Sequence, residues 1–161
     1  MRLILFQPDQ PGNFGAAIRL CACFGLSLEV VLPCGFPLTA KAARRAAMDY
    51  GHTGDIIRHA NLNAAMKSLG GARLILLTTQ GAQDINSFEF CANDALIFGR
   101  ESEGAPDLLH GAADARVRIP MSGGARSLNL VNSASITLFE ALRQTGGLPV
   151  EALRQTASLP G

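Results

Sequence analysis

The chain has no long apolar run. Nothing approaches the roughly 20 consecutive apolar residues of a membrane span, and the opening M-R-L-I-L-F-Q-P is too short an apolar stretch for a signal peptide. A soluble, cytoplasmic protein is expected. An excess of one charge is also missing: the 161 residues carry a formal net charge of +1. Binding to nucleic acid must then come from local clusters of cations and not from the chain as a whole. Charged residues are scarce, 17% against 48% hydrophobic, a balance that favours apolar surface kept for a partner subunit. The four cysteines, Cys21, Cys23, Cys34 and Cys91, form no C-x-x-C pair and read as buried, reduced thiols. The three histidines, His52, His59 and His110, lack ligand spacing, so no metal site is expected.

The common nucleotide and hydrolase signatures are missing too. No G-x-x-x-x-G-K-[ST] is present, which excludes a P-loop, and no G-x-S-x-G. After the first apolar run stands Q-P-D-Q-P-G-N-F-G, with only Gly12 and Gly15 of a dinucleotide fingerprint. Leu32-Pro33-Cys34 stands where an acidic residue would follow the second strand. A nicotinamide or flavin enzyme is therefore disfavoured.

What is present is an alternation of short β-type runs with helical ones. Residues 3–6, 28–32, 74–78, 95–98 and 117–119 read as strands, and 55–57 as a shorter one. Residues 15–24, 39–48, 61–69 and 130–144 read as helices. Continuous apolar strands separated by helices predict an α/β fold, a mainly parallel sheet with helices on both faces. With no internal repeat and no linker, residues 1–161 form a single domain, and its ligand loops lie beyond the carboxyl ends of strands.

Three polar segments stand at such ends. The first is Asn13-Phe14-Gly15-Ala16-Ala17-Ile18-Arg19. Asn13 suits a helix N-cap, and Arg19, expected near the start of an apolar helix, calls for an anionic partner inside or outside the protein. The second is Phe98-Gly99-Arg100-Glu101-Ser102-Glu103-Gly104, whose glycines permit close backbone approach and whose acids also suit the cap of a following helix. The third is Ile119-Pro120-Met121 followed by Ser127-Leu128-Asn129-Leu130-Val131-Asn132-Ser133.

The spacing N-x-G-x-x-x-R, then F-G-x-E-x-x-G, then I-P-M with S-L-N-L-x-N, resembles the three motifs of the SPOUT methyltransferases, over nearly the whole chain. R-L-C-A-x-F-G at 19–25 and R-R-A-x-x-D-Y at 44–50 narrow the likeness to the compact group that methylates the 2′-hydroxyl of the tRNA wobble nucleotide. That group has no separate RNA-binding domain. The resemblance implies a C-terminal trefoil knot, S-adenosylmethionine as cofactor, tRNA (its anticodon region) as substrate and a homodimer. A 2′-O-methyltransferase for another RNA site, or a non-catalytic RNA-binding relative, are the competing readings.

By the same resemblance Leu77, Gly99, Ile119, Ser127 and Leu128 fall at cofactor-contacting positions, and Arg19 with Asn13 at the catalytic ones. An arginine is a poor base in water. Arg19 is thus expected to hold a phosphate beside the ribose and ease loss of the hydroxyl proton, in preference to abstracting it. Glu101 and Asn129 either brace the loops or are purely structural. Lys41, Arg44 and Arg45, at i, i+3 and i+4 of one predicted helix, offer a basic face for RNA, unless that face is merely solvated; Arg116, Arg118 and Arg126 lie near the third motif. Two departures stand out: Ser133 replaces a frequent alanine, and Phe139 a frequent tyrosine.

Overall fold

The computed structural model describes residues 1–38, 56–81 and 83–149. The expected helix over 39–48, with Lys41, Arg44 and Arg45, and the tail from 150 on lie outside the described residues. Among the described residues seven strands form one sheet: β1 (Arg2–Phe6), β2 (Leu28–Val31), β3 (Ile57–His59), β4 (Leu74–Leu77), β5 (Gln83–Asp84), β6 (Ala95–Phe98) and β7 (Ala115–Arg118). Their order is β3-β2-β1-β6-β4-β7-β5, and every pairing is parallel. The α-helices among the described residues are α1 (Pro11–Cys23), α2 (Leu62–Ser68), α3 (Asp107–Ala112) and α4 (Leu130–Thr145).

Strand alternation divides the core into two layers. Leu3, Leu5, Leu28, Val30, Ile75, Leu77, Leu96, Phe98 and Val117 face α1 and α4, which contribute Phe14, Ala17, Ile18, Ala134, Leu138 and Ala141. Ile4, Phe6, Val31, Leu74, Leu76 and Ile97 face the other way, under Leu62 and Ala65 of α2 and Leu109 of α3. Both faces are thus covered, as a parallel sheet requires.

The helix ends follow from local chemistry. α1 begins at Pro11, whose missing N–H is no loss in a first turn. It ends in a Schellman turn: Gly25, at φ 68°, donates to Ala22 O and Leu26 donates to Cys21 O. Asn61 Oδ1 caps α2 by accepting from Ala64 N at 2.9 Å, and Asn129 Oδ1 caps α4 by accepting from Val131 N at 2.9 Å.

A buried polar clamp ties α2 to the second face. Glu29, 3% exposed, accepts from Arg2 Nε at 2.5 Å and lies 2.6 Å from His59 Nε2, and Arg2 also donates to Ser68 O at 2.8 Å. Burial raises the Glu29 carboxyl, but Arg2 and His59 outweigh it and hold the group below its usual range.

Several expectations are corrected. The first helix starts at Pro11, not at Gly15, so Asn13 is not its cap and Arg19 lies well past the first turn. The third strand is Ile57–His59, beginning where the expected one ended. β5 is too short to show a periodicity and was not expected; α3 is the helix that follows residues 98–104, but Pro106 stands at its N-cap and no acid of that segment caps it. Of the four free cysteines only Cys21 is buried, its thiol pushed up to about 12 by desolvation, while Cys23 and Cys91 are exposed. Among the described residues no helix is long and apolar enough to cross a membrane.

Candidate active site

The chain passes from β1 through α1 to β2 on one side of the sheet, whereas β6 lies on the other side of β1. This reversal opens a crevice beyond the carboxyl ends of the strands. The loop after β1 carries Asn13 through α1, the loop after β6 carries 99–104, and the segment after β7 carries 119–129. Between them lies a cavity of about 540 Å³, within the usual range for small-molecule sites.

Leu77, Gly99, Ile119, Ser127 and Leu128 all border this cavity, as do Asn13, Glu101, Asn129 and Met121. Leu77 ends β4 and Ile119 follows β7, making that side apolar; Asn13, in the first turn of α1, and Glu101, after β6, make the other side polar. Arg19 does not border it: six residues beyond Asn13, it is turned about 120° around the helix axis and half-buried. Arg126 borders the cavity, and Arg116 and Arg118 do not; Arg118 Nε donates to Asp84 Oδ1 at 2.5 Å.

The three polar segments are joined by one chain of hydrogen bonds. Asn129 Nδ2 donates to Asn13 Oδ1 at 2.9 Å, and Asn13 Nδ2 donates to Glu101 Oε1 at 3.1 Å. The second carboxylate oxygen of Glu101 accepts from Asp9 N at 3.0 Å. Glu101 and Asn129 therefore brace the loops, and they fix which way the Asn13 amide points. Ser133 donates through its hydroxyl to Asn129 O at 3.2 Å, so the small residue adds a bond where an alanine would add none.

Gly99 permits the close backbone approach expected of it within its own loop. A Cβ there would come 2.5 Å from Gly104 C and 2.6 Å from Ala105 N, so the close approach it permits is that of the loop to itself. Arg100 N donates to Gly104 O at 2.9 Å and Gly104 N to Arg100 O at 3.0 Å, closing the turn, with Gly104 at φ 74°.

Sequence reasoning missed Asp9 and Gln7. Asp9 accepts from both the hydroxyl and the amide of Ser102, so the loops after β1 and β6 are zipped together. The Ser102 hydroxyl holds the Asp9 carboxyl below its usual range. The signal was the polar run Gln7-Pro8-Asp9-Gln10-Pro11 at a strand end. Among the described residues no cluster of His, Cys, Asp or Glu is placed to hold a metal; His59 is engaged with Glu29, and His110 borders the cavity.

This arrangement has close counterparts. Residues 1–139 match the model of the SpoU rRNA Methylase family. The chain is 45% identical over 148 residues to the tRNA (cytidine(34)-2′-O)-methyltransferase of Beijerinckia indica, covering 91% of this chain and 92% of that one. To the protein of the same description from Escherichia coli it is 36% identical, covering 91% and 94%. A solved structure concerned with the 2-OH methylation of C/U34 on tRNA superposes with a TM-score of 0.83 at 34% identity, covering 89% of this chain and 94% of that one. The SpoU methyltransferase AviRb of Streptomyces viridochromogenes, in complex with AdoMet, superposes with a TM-score of 0.78 at 27% identity, covering 89% and 60%.

Proposed function

Because the chain belongs to the SpoU rRNA Methylase family, we propose that it methylates tRNA, transferring the methyl group of S-adenosylmethionine to the ribose 2′-hydroxyl of the wobble nucleotide, a cytidine or modified uridine. The observation that carries this reading is the 45% and 36% identity, over 91% of the chain, to proteins described as tRNA (cytidine(34)-2′-O)-methyltransferases.

The residues of the cavity fit the cofactor. Leu77, Ile119 and Leu128 supply apolar walls for an adenine, and Ser127 a hydroxyl for a directed hydrogen bond. When bound, S-adenosylmethionine supplies an electrophilic methyl group on a sulfonium. The protein must then align the acceptor hydroxyl in line with it and ease loss of its proton. Asn13, its amide oriented by Glu101 and Asn129, positions the ribose. Arg19 holds the adjoining phosphate and so favours the hydroxyl's ionisation. Lys41, Arg44 and Arg45 contribute phosphate contacts further along the RNA, and Arg126 contributes one at the cavity's edge.

Arg19 lies away from the cavity of its own chain, as suits a site completed across a two-fold contact. The working unit in this reading is a homodimer. Its support is α4: Ala134, Leu138 and Ala141 are buried in the subunit, yet Ile136 and Phe139 remain 43% and 49% exposed and share an apolar groove with Phe24. A groove of this kind on a small α/β domain fits a second copy in an isologous contact. A C-terminal trefoil knot is also part of the proposal. Its support is the position of α4, which returns from β7 to pack on α1 at the opposite side of β4 and β6.

Purified protein incubated with total tRNA and, in parallel, with ribosomal RNA, each with labelled cofactor, is the test, with the modified nucleotide mapped by mass spectrometry. A 2′-O-methyl group at the wobble position is expected. Modification confined to another tRNA site or to ribosomal RNA would refute the substrate, and no transfer to any RNA would refute the activity.

A further inference from the structure

At the polar end of the cavity Arg100 and Glu103 form an ion pair of 3.0 Å, and both side chains border the cavity. Glu103 is 71% exposed and Arg100 29%. A pair so open to water contributes little to stability, yet the guanidinium is held in place from several directions. Arg100 Nη2 donates to Gln7 Oε1 at 2.8 Å, and Gln7 Nε2 donates to Leu32 O at 3.3 Å. Gln7 adopts φ 48°, left-handed backbone that no other non-glycine among the described residues shows; such strain collects at ligand sites. The double hydrogen bond between Arg100 and Gly104 fixes the turn that carries both charges. Arg100 Nε is buried and has no hydrogen-bond partner among the described residues.

We propose that Arg100 and Glu103 together recognise an α-amino-acid zwitterion, Arg100 taking the α-carboxylate of the cofactor and Glu103 its α-ammonium. This rests on the reading of the cavity as the S-adenosylmethionine site. The choice of ligand follows from the pairing of charges. An isolated cation suits a phosphate, but a phosphate brought to Arg100 meets the Glu103 carboxylate and is repelled. A zwitterion presents each charge to its opposite, and charge-assisted hydrogen bonds of this kind are about twice as strong as neutral ones. Arg126, the other arginine on the wall, forms no ion pair among the described residues and offers only half of such a site. The placement agrees: the pair follows β6, while Leu77 ends the neighbouring β4 and Ile119 follows β7, one strand further on, so the apolar wall for an adenine lies to one side of the charged pair.

The test is calorimetry with S-adenosylhomocysteine and with 5′-methylthioadenosine, which keeps the nucleoside and sulfur but carries no amino-acid tail. The wild-type protein should prefer S-adenosylhomocysteine. Arg100→Met should narrow that preference about tenfold while leaving 5′-methylthioadenosine affinity in place. Glu103→Gln, a change at an exposed position, should narrow it in the same sense and gives the readout if Arg100→Met disturbs the turn. An unchanged preference in both variants would overturn the proposal, as would an equal loss for both nucleosides, which would make the pair a support of the loop. Wild-type protein that binds neither nucleoside would remove the cofactor reading and this proposal together. Wild-type protein that binds and methylates, with the preference unmoved in the variants, would sink the pair alone.

Discussion

Asn13 and Glu101, 88 residues apart in sequence, meet through a 3.1 Å hydrogen bond in which the asparagine amide donates to the carboxylate. The bond decides the amide's orientation, because the other end of Asn13 accepts from Asn129. Glu101→Gln would put a second amide against two N–H donors, those of Asn13 and Asp9. The expected cost is about 1–3 kcal/mol in stability and a methylation rate lower by an order of magnitude or more. Thermal unfolding and single-turnover kinetics measure the two effects; a variant with unaltered rate would show that the bond serves the fold only.

Arg19→Ala is expected to abolish methyl transfer and leave cofactor affinity nearly intact. The arginine lies on α1 away from the cavity wall. Calorimetry with S-adenosylhomocysteine beside a labelled-methyl assay gives the split. Retained turnover would remove Arg19 from the reaction.

Gly99→Ala should damage cofactor binding more than any outward-facing change on the same loop. The added Cβ would stand 2.5 Å from backbone carbon, so the turn closed by Arg100 and Gly104 must open. A Kd for S-adenosylhomocysteine that stays at the wild-type value would show that the loop shape is not what the site needs.

Stability should fall on the acid side through Glu29. Its carboxyl is depressed in the folded protein, so the stability it contributes is fully present above the ordinary glutamate value, about 4.3. That contribution is lost as the pH falls through the lower folded value. Glu29→Gln should cost about 3 kcal/mol near neutrality and flatten the acid limb of a denaturation series run against pH. An acid limb identical to wild type would place the sensitivity elsewhere.

Phe139→Glu is expected to yield monomers at micromolar concentration and to lose tRNA methylation with them. Phe139 is 49% exposed beside Ile136, while the buried face of α4 is satisfied within the subunit. Light scattering on both proteins decides; a wild-type monomer that still methylates tRNA would defeat the dimer.

The strands 3–6, 74–77 and 95–98 were legible because a strand buried on both faces is apolar at every position, a pattern that needs no tertiary knowledge. α4 was legible from its period and from Gly146 after it. The start of α1 was misread because Asn13 is a good capping type, yet Pro11 two residues earlier fits the first turn without a side-chain cap. The two-residue β5 and the six-residue α3 are defined by neighbours and not by their own pattern. The segments that make the cavity could be found singly. Their joining through Asp9, Ser102 and Gln7 could not, since each partnership spans more than 90 residues and has no local sequence signature.

The bond between Asn129 and Asn13 bridges 116 residues, and this has a consequence for biosynthesis. A ribosome delivers Asn13 early and Asn129 late, so the cavity has no complete wall while most of the chain is already outside the exit tunnel. Contacts of such long span form slowly. Until they do, the loops after β1 and β6 wait without the third. Acquisition of cofactor affinity thus marks the end of folding, and a time course of S-adenosylhomocysteine binding during refolding should trail the recovery of helical signal.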